Sequence, residues 1–319
     1  MAYQKKPAMN PEDYRGSSPI VTEADRLTLL EGEQYLLVDE PAPFVRRLTL
    51  NRPAKRNALR PELRAQLHSA LQRADQDASV RVVIIRGAGP SFCAGYDLSA
   101  PRELPPPQFQ AGGDGSFQRA AVQGWFGLWD LAKPLIAQVH GHCLAGGSEL
   151  ASACDLIYCA EDAKIGYPPV RSMGLPDTQI FPWVVGMRAS LELMLTGDSM
   201  SGTEAARLGW CNRAFPAAEL EARTLAVARR VAAIPSDLLQ FNKRSVHRAM
   251  EVMGMRTALR YGTDLQALSF HTQTSVAAMQ GFGNGKSAAV AFKERDAAFG
   301  VASDDDSSGK PSGGPKSKL

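Results

Sequence analysis

Residues 137–155 read AQVHGHCLAGGSELASACD. The stretch ends an apolar strand running from Leu135 to Val139, passes a glycine turn at Gly141, and starts a helix at Gly146-Gly147 with Ser148 and Glu149 in its first turn. A helix start presents unpaired backbone amides and a partial positive charge. A second stretch, residues 83–98 (VIIRGAGPSFCAGYDL), has the same form: a buried strand ends in glycines, and Ala94-Gly95 lets the backbone approach a ligand closely. Two amides aimed at one point make an oxyanion hole, worth about 3–4 kcal/mol per donor. On a thioester they would stabilise an enolate or a tetrahedral anion. Taken singly, each segment is weak evidence, because glycine after a strand usually just makes a turn.

Outward from these stretches the pattern is that of an α/β protein. The run Val82 to Ile85 is continuous and β-branched, as in a strand buried on both faces. Strands are expected at Tyr35 to Asp39, Val45 to Leu50 and Leu156 to Tyr158, with Pro41 and Pro43 marking a turn and a helix opening at Pro61 that carries Leu63, Leu67, Ala70 and Leu71 at helical spacing. From about Thr203 helices dominate: Glu219 to Ala233, Asp237 to Met253, Arg256 to Gln280 and Lys286 to Phe299. The expected organisation is an N-terminal extension (1–33), an α/β core holding the site (34–202), a helical C-terminal region (203–300) and a disordered polar tail (301–319). Ser99 to Ser116 is too rich in Pro and Gly for a regular element and is long enough to be a functional loop.

Composition narrows the function classes. With 319 residues and 44% hydrophobic composition the chain can bury a substantial core. Its net charge of +3, from 36 basic and 33 acidic residues, includes no basic block of the kind that binds nucleic acid or membranes. No apolar run has the length to span a bilayer, and the N-terminus lacks a secretory h-region. Cys93, Cys143, Cys154, Cys159 and Cys211 show neither paired CxxC spacing nor the density of a disulfide scaffold and read as reduced core thiols. His140 and His142 flank Gly141 without a further ligand at metal spacing, so packing is expected rather than a metal.

Four motifs in order, LNRPAKRNAL at 50–59, FCAGYDL at 92–98, GHCLAGGSELASACDLIYCAEDAKIG at 141–166 and LMLTGDSMSGTEAARLGWCNRAFP at 193–216, closely resemble the crotonase (enoyl-CoA hydratase/isomerase) superfamily, over about Tyr35 to Phe299. The resemblance implies a ββα spiral core with a helical C-terminal trimerisation region, an acyl-CoA substrate, and assembly as a homotrimer or a dimer of trimers. No cofactor is implied, CoA being part of the substrate. It places the oxyanion amides at Tyr96 and Gly146, and Asn57, Ala58, Ala94 and Tyr96 along the CoA entrance. Lys55 and Arg56 become candidates for the CoA phosphates, and Lys293 for a contact with CoA from a neighbouring subunit, although each also reads as solvated surface charge.

Members that hydrate an enoyl-CoA generally use two carboxylates. Glu149 matches the first, and alternatively is a first-turn acid favoured by the helix dipole. The second is absent: in Gly166-Tyr167-Pro168-Pro169, Pro169 stands where the family carries a glutamate. The next loop, Gly174-Leu175-Pro176-Asp177-Thr178-Gln179, is about three residues shorter than the resemblance predicts and introduces Asp177, either as a helix N-cap or as a replacement catalytic carboxylate. Tyr167, Trp125, Phe126 and Trp129 are core residues or the lining of an acyl pocket. The terminal Ser317-Lys318-Leu319 is a peroxisomal address in a eukaryote and coincidence in a bacterial, cytoplasmic protein.

The leading expectation is hydration of a 2-enoyl-CoA to a 3-hydroxyacyl-CoA. Pro169 leaves open isomerisation, or hydrolysis of a thioester or carbon–carbon bond, with one acid/base. A non-catalytic acyl-CoA-binding scaffold is the expectation of another class, and requires that Glu149→Gln leave every activity unchanged.

Overall fold

The alternation of apolar β-branched runs with helical segments builds a six-stranded sheet and a smaller three-stranded one. The structure, a computed structural model, describes residues 34–98, 116–283, 288–297 and 299–300. The N-terminal extension, most of the Ser99 to Ser116 loop, and the tail with its terminal tripeptide lie outside the described residues.

Strands β1 (Leu36–Ala42) and β2 (Val45–Leu50) form an antiparallel hairpin. β3 (Val82–Gly87), β4 (Leu135–Val139), β6 (Leu156–Ala160) and β9 (Arg213–Phe215) then add in parallel, giving the order β1-β2-β3-β4-β6-β9. Registers such as Val45↔Val82, Val83↔Leu135 and Ile136↔Leu156 bring the apolar runs side by side. All five residues of β4 are buried, as a strand covered on both faces requires. Helix α1 (Pro61–Gln76) starts at the proline and buries Leu63, Leu67, Ala70 and Leu71. The second sheet, in the order β5-β7-β8, comprises β5 (His142–Leu144), β7 (Lys164–Gly166) and β8 (Ser199–Ser201). These three-residue strands carry too little periodicity to be read from sequence.

Between the strands lie α2 (Ser116–Asp130), α3 (Gly146–Ser152), α4 (Phe181–Val184), α5 (Gly186–Thr196) and α6 (Gly202–Leu208). After β9 come α7 (Ala217–Ala232), α8 (Ser236–Val252), α9 (Met255–Ser269), α10 (Gln273–Gly283) and α11 (Ala288–Ala297). The expected helix from Arg256 to Gln280 is thus two helices, broken at Phe270–Thr272, where the Thr272 hydroxyl accepts from the Ser275 amide and starts a new turn. β9 joins the large sheet from beyond residue 202, and Thr224 and Ala228 of α7 are fully buried. Helix α8 is anchored by a buried cation: Lys243 Nζ lies 3.0 Å from Asp155 Oδ2 and donates to Lys133 O at 3.2 Å. All five cysteines are buried and free.

Candidate active site

Two strand-to-turn segments meet at the end of the large sheet because the backbone zips them together. Phe92 N donates to His140 O (2.8 Å), Cys93 N to His142 O (2.9 Å) and Leu144 N to Cys93 O (3.0 Å). On the other flank Leu59 pairs with Tyr96 through Leu59 N to Gly95 O (2.7 Å) and Asp97 N to Leu59 O (3.1 Å), bonds that leave the Tyr96 amide out of the ladder. Gly95 adopts φ +102°, and a β-carbon there would stand 2.8 Å from Ala145 Cβ and 3.3 Å from Gly146 N, so only glycine lets these turns close. A β-carbon on Gly146 would stand 2.9 Å from Tyr96 Cε2. The two residues assigned as amide donors are therefore neighbours.

Ala145, which precedes Gly146, is held at φ 50° and ψ −126°. A non-glycine residue in so sparsely populated a region costs on the order of 1–3 kcal/mol, and such strain collects at functional sites. Here it lies at the junction of β5 and α3, next to Gly146.

Glu149, in the first turn of α3, is 2% exposed. Its Oε1 accepts from Thr178 N (2.7 Å) and Thr178 Oγ1 (3.0 Å), while Oε2 has no partner among the described residues. The Gly174 to Gln179 loop that presents Thr178 also presents Asp177, likewise 2% exposed. Asp177 is not a helix cap: the residue capping α4 is Ile180, without a side-chain bond, and Asp177 O instead accepts from Thr263 Oγ1 of α9 (2.9 Å). The N-cap reading fails because Thr178, Gln179 and Ile180 intervene before the helix begins.

Burial pushes the Asp177 carboxyl up to about 7, an effect offset in part by the Tyr96 hydroxyl and then by Arg64. Burial, followed by repulsion from Asp177, raises Glu149 well above the carboxylate range against the Thr178 bonds and Arg64. Each carboxyl therefore holds its proton more tightly than a free one, Glu149 in part because a charge on Asp177 would repel its own. Burial, and then the same two carboxyls, raise the hydroxyls of Tyr96 and Tyr167, which stay protonated.

Trp125, Phe126 and Trp129 of α2 line a narrow pocket together with Glu149, Ala153, Thr178, Ile180 and Leu259. Tyr167 is buried beside the carboxyls. Pro169 sits in a short 3-10 turn, Pro168–Arg171, and offers no proton.

At the outer end, Lys55 and Arg56 are exposed in and just after the 3-10 turn Pro53–Lys55. Asn57 is fully buried; its Oδ1 accepts from Arg52 N (2.8 Å), and its Nδ2 donates to Ala88 O (2.9 Å) and Ser91 O (2.7 Å). Its side chain braces the turn, at φ 55°, where asparagine is tolerated, and so any contact with CoA falls to its backbone. Ala94 N donates to Arg56 O (2.9 Å), joining Lys55, Arg56, Asn57, Ala58 and Ala94 in one rim. Lys293 is exposed on α11, a helix tied by Asp296 to Arg171 (3.0 Å), and lies on a different part of the chain from this rim.

Sequence reasoning missed Thr178 and Arg64. Arg64 is 9% exposed on α1, and its guanidinium lies 5.5 Å over the Tyr96 ring. The signal was its place three residues before Leu67 and seven before Leu71, on the buried face of the helix.

Comparison with known proteins agrees with this arrangement. Residues 43–294 match the family described as Enoyl-CoA hydratase/isomerase. A protein provisionally named an enoyl-CoA hydratase in Mycobacterium tuberculosis is 37% identical over 231 residues, 66% of this chain and 73% of that protein. A solved enoyl-CoA hydratase from Mycobacterium smegmatis superposes with a TM-score of 0.77 at 30% identity, covering 85% of this chain and 96% of that one. An enoyl-CoA hydratase/isomerase from Xanthobacter autotrophicus Py2 gives 0.76 at 33% identity, covering 84% and 99%. With the motifs, the paired turns and the spiral of sheets all in place, the chain belongs to the enoyl-CoA hydratase/isomerase family and has its crotonase-type fold.

Proposed function

We propose that the protein is an enoyl-CoA hydratase that adds water across the double bond of a 2-enoyl-CoA, with Glu149 and Asp177 dividing the proton transfers. The observation that carries this reading is the burial of Asp177 beside Glu149. It supplies a second carboxyl although Pro169 occupies the position of the family's usual one. The amides of Tyr96 and Gly146 hold the thioester oxygen, drawing electrons from the double bond and making the β-carbon electrophilic. The ionised member of the pair takes a proton from the attacking water, and the protonated member delivers one to the α-carbon. The product is a 3-hydroxyacyl-CoA, and no atom or charge is left over.

The acyl group lies toward Trp125, Phe126 and Trp129, which line the pocket at Glu149, and Lys55 and Arg56 meet the CoA phosphates. The same reading assembles the chain as a homotrimer or a dimer of trimers. In support, α8 and α9 expose Phe241 (74%), Val246, Tyr261, Leu265 and Leu268, more apolar surface than an isolated protomer ordinarily leaves open.

The test follows loss of the conjugated enoyl absorbance with crotonyl-CoA and longer 2-enoyl-CoAs. Glu149→Gln is expected to lower kcat by about 10²–10⁴ while acyl-CoA still binds. No loss of absorbance at any chain length refutes hydration and turns attention to isomerisation or hydrolysis. An unchanged rate in Glu149→Gln removes Glu149 from the chemistry.

A further inference from the structure

The two oxygens of Glu149 have different surroundings, and a single residue makes them differ. Thr178 donates to Oε1 twice, through its amide at 2.7 Å and its hydroxyl at 3.0 Å. Oε2 is buried and has no partner among the described residues. Glu149 and Thr178 both line the narrow pocket walled by Trp125, Phe126 and Trp129. A carboxylate oxygen has two lone pairs, and two donors fill those of Oε1, so the proton that Glu149 exchanges belongs to Oε2.

We propose that Thr178 is a positioning residue for the proton transfer: its amide and hydroxyl saturate Glu149 Oε1 and so fix Oε2 as the oxygen that takes up and gives the proton. The inference rests on the hydratase reading for its kinetic consequence, though not for its structural one.

A residue that orients a carboxyl must itself be held, and the loop carrying Thr178 is fastened from the C-terminal helices. Thr263 Oγ1 of α9 donates to Asp177 O (2.9 Å), one residue before Thr178. Helix α9 meets the loop again at Gly262, where a β-carbon would stand 3.1 Å from Gln179 Cβ. Ser275 Oγ of α10 donates to Met173 O (3.1 Å), just ahead of the loop, and Thr178 O accepts from Ile180 N (2.8 Å). None of these contacts uses the Thr178 hydroxyl, so its removal leaves the frame of the loop and the amide bond to Glu149 in place. What the hydroxyl adds is the second donor. With the amide alone, one lone pair of Oε1 is open, and the broad terminal torsion of glutamate lets the carboxyl turn and share its proton between two oxygens. A misplacement of about 1 Å at a reacting group costs on the order of 10²-fold in rate.

The experiment compares the full-length wild type with Thr178→Val, Thr178→Ser and Thr178→Ala. Valine keeps the shape of threonine and deletes the hydroxyl, whereas serine keeps the hydroxyl and deletes the methyl group. Each protein is assayed for kcat and KM with crotonyl-CoA. The carboxylic C=O infrared band of Glu149 is recorded on the free protein at about pH 5, where burial keeps this carboxyl protonated, with Glu149→Gln used to assign it. Thr178→Val is expected to lower kcat by about 10–100-fold, the effect of one hydrogen bond to a charged group, with KM within about twofold of wild type. Its Glu149 band is expected to move to higher wavenumber, because the C=O oxygen, Oε1, loses a donor. Serine is expected to return the band to its wild-type position and kcat to within about fivefold. Should Thr178→Val fail to fold, the alanine and serine variants carry the same comparison. A Glu149 band that does not move when the hydroxyl is removed overturns the proposal, even where activity falls, and so does a kcat within about twofold of wild type. If the wild type hydrates no enoyl-CoA, the hydratase reading fails while the infrared band still decides whether the Thr178 hydroxyl holds Oε1.

Discussion

Asp177→Asn should make the protein more stable and much less active, and the two effects have one cause. In the folded protein burial raises this carboxyl from 3.8 to about 7, whereas in the unfolded chain it returns to its ordinary value. Between those values the native state binds the proton more tightly, so stability declines as pH rises from about 4 toward 7, and the loss is complete above the folded value. At pH 7 that displacement amounts to roughly 4 kcal/mol, a ceiling because the pair is coupled. Asparagine has the same shape and carries no charge, so it recovers part of this, about 1–3 kcal/mol, less whatever its amide fails to bond. For a chain of this size that raises Tm by about 2–8 °C. The assay is thermal unfolding of both proteins from pH 5 to pH 8. The gain is expected to be small at pH 5, where Asp177 is already protonated, and largest at pH 8. A variant that melts lower than wild type at pH 8, or by the same offset at both pH values, refutes the argument that a buried, unwillingly charged carboxyl sits at this position. Kinetically the same change is expected to reduce kcat by at least about 10².

Lys243→Met removes the partner of the largely buried Asp155 carboxylate, 3.0 Å away, and is expected to cost about 2–4 kcal/mol in guanidinium unfolding; a cost below about 1 kcal/mol would mean that His247, 3.1 Å from the other oxygen, suffices alone. Changing Lys55 and Arg56 together to alanine is expected to raise KM for acyl-CoA several-fold at low salt and less at high salt, with kcat unchanged, since exposed charges act through a screened field. A fall in kcat with KM unaltered would place these residues outside the CoA rim.

The positions of β2, β4, α1, α7 and α8 were legible because their apolar residues recur at strand or helix period over five residues or more. The strands β5, β7 and β8 were not, since three residues carry no period and these strands exist only through their partners. The break between α9 and α10 lies beside the polar run His271 to Ser275, which holds no glycine or proline to mark a helix end.

For the site, the chain by itself determined the two glycine turns and the place of Glu149, while the resemblance to the family implied that Pro169 stands where a carboxyl would be. These are local facts, carried by residue type and by spacing along a few neighbouring residues. It left Asp177 divided between a helix cap and a catalytic group, and did not mark Arg64 or Thr178. Tertiary structure decided the placement of Asp177 by ending α4 too far away for it to cap, burying the carboxyl, and setting it in the field of Glu149 and Arg64. The physical reason is that a carboxyl's proton affinity depends on the solvent and charge around it. Here those come from α1, the turn after β3, α3 and the loop before α4, segments spread over more than 100 residues of the chain that only the closed fold brings together.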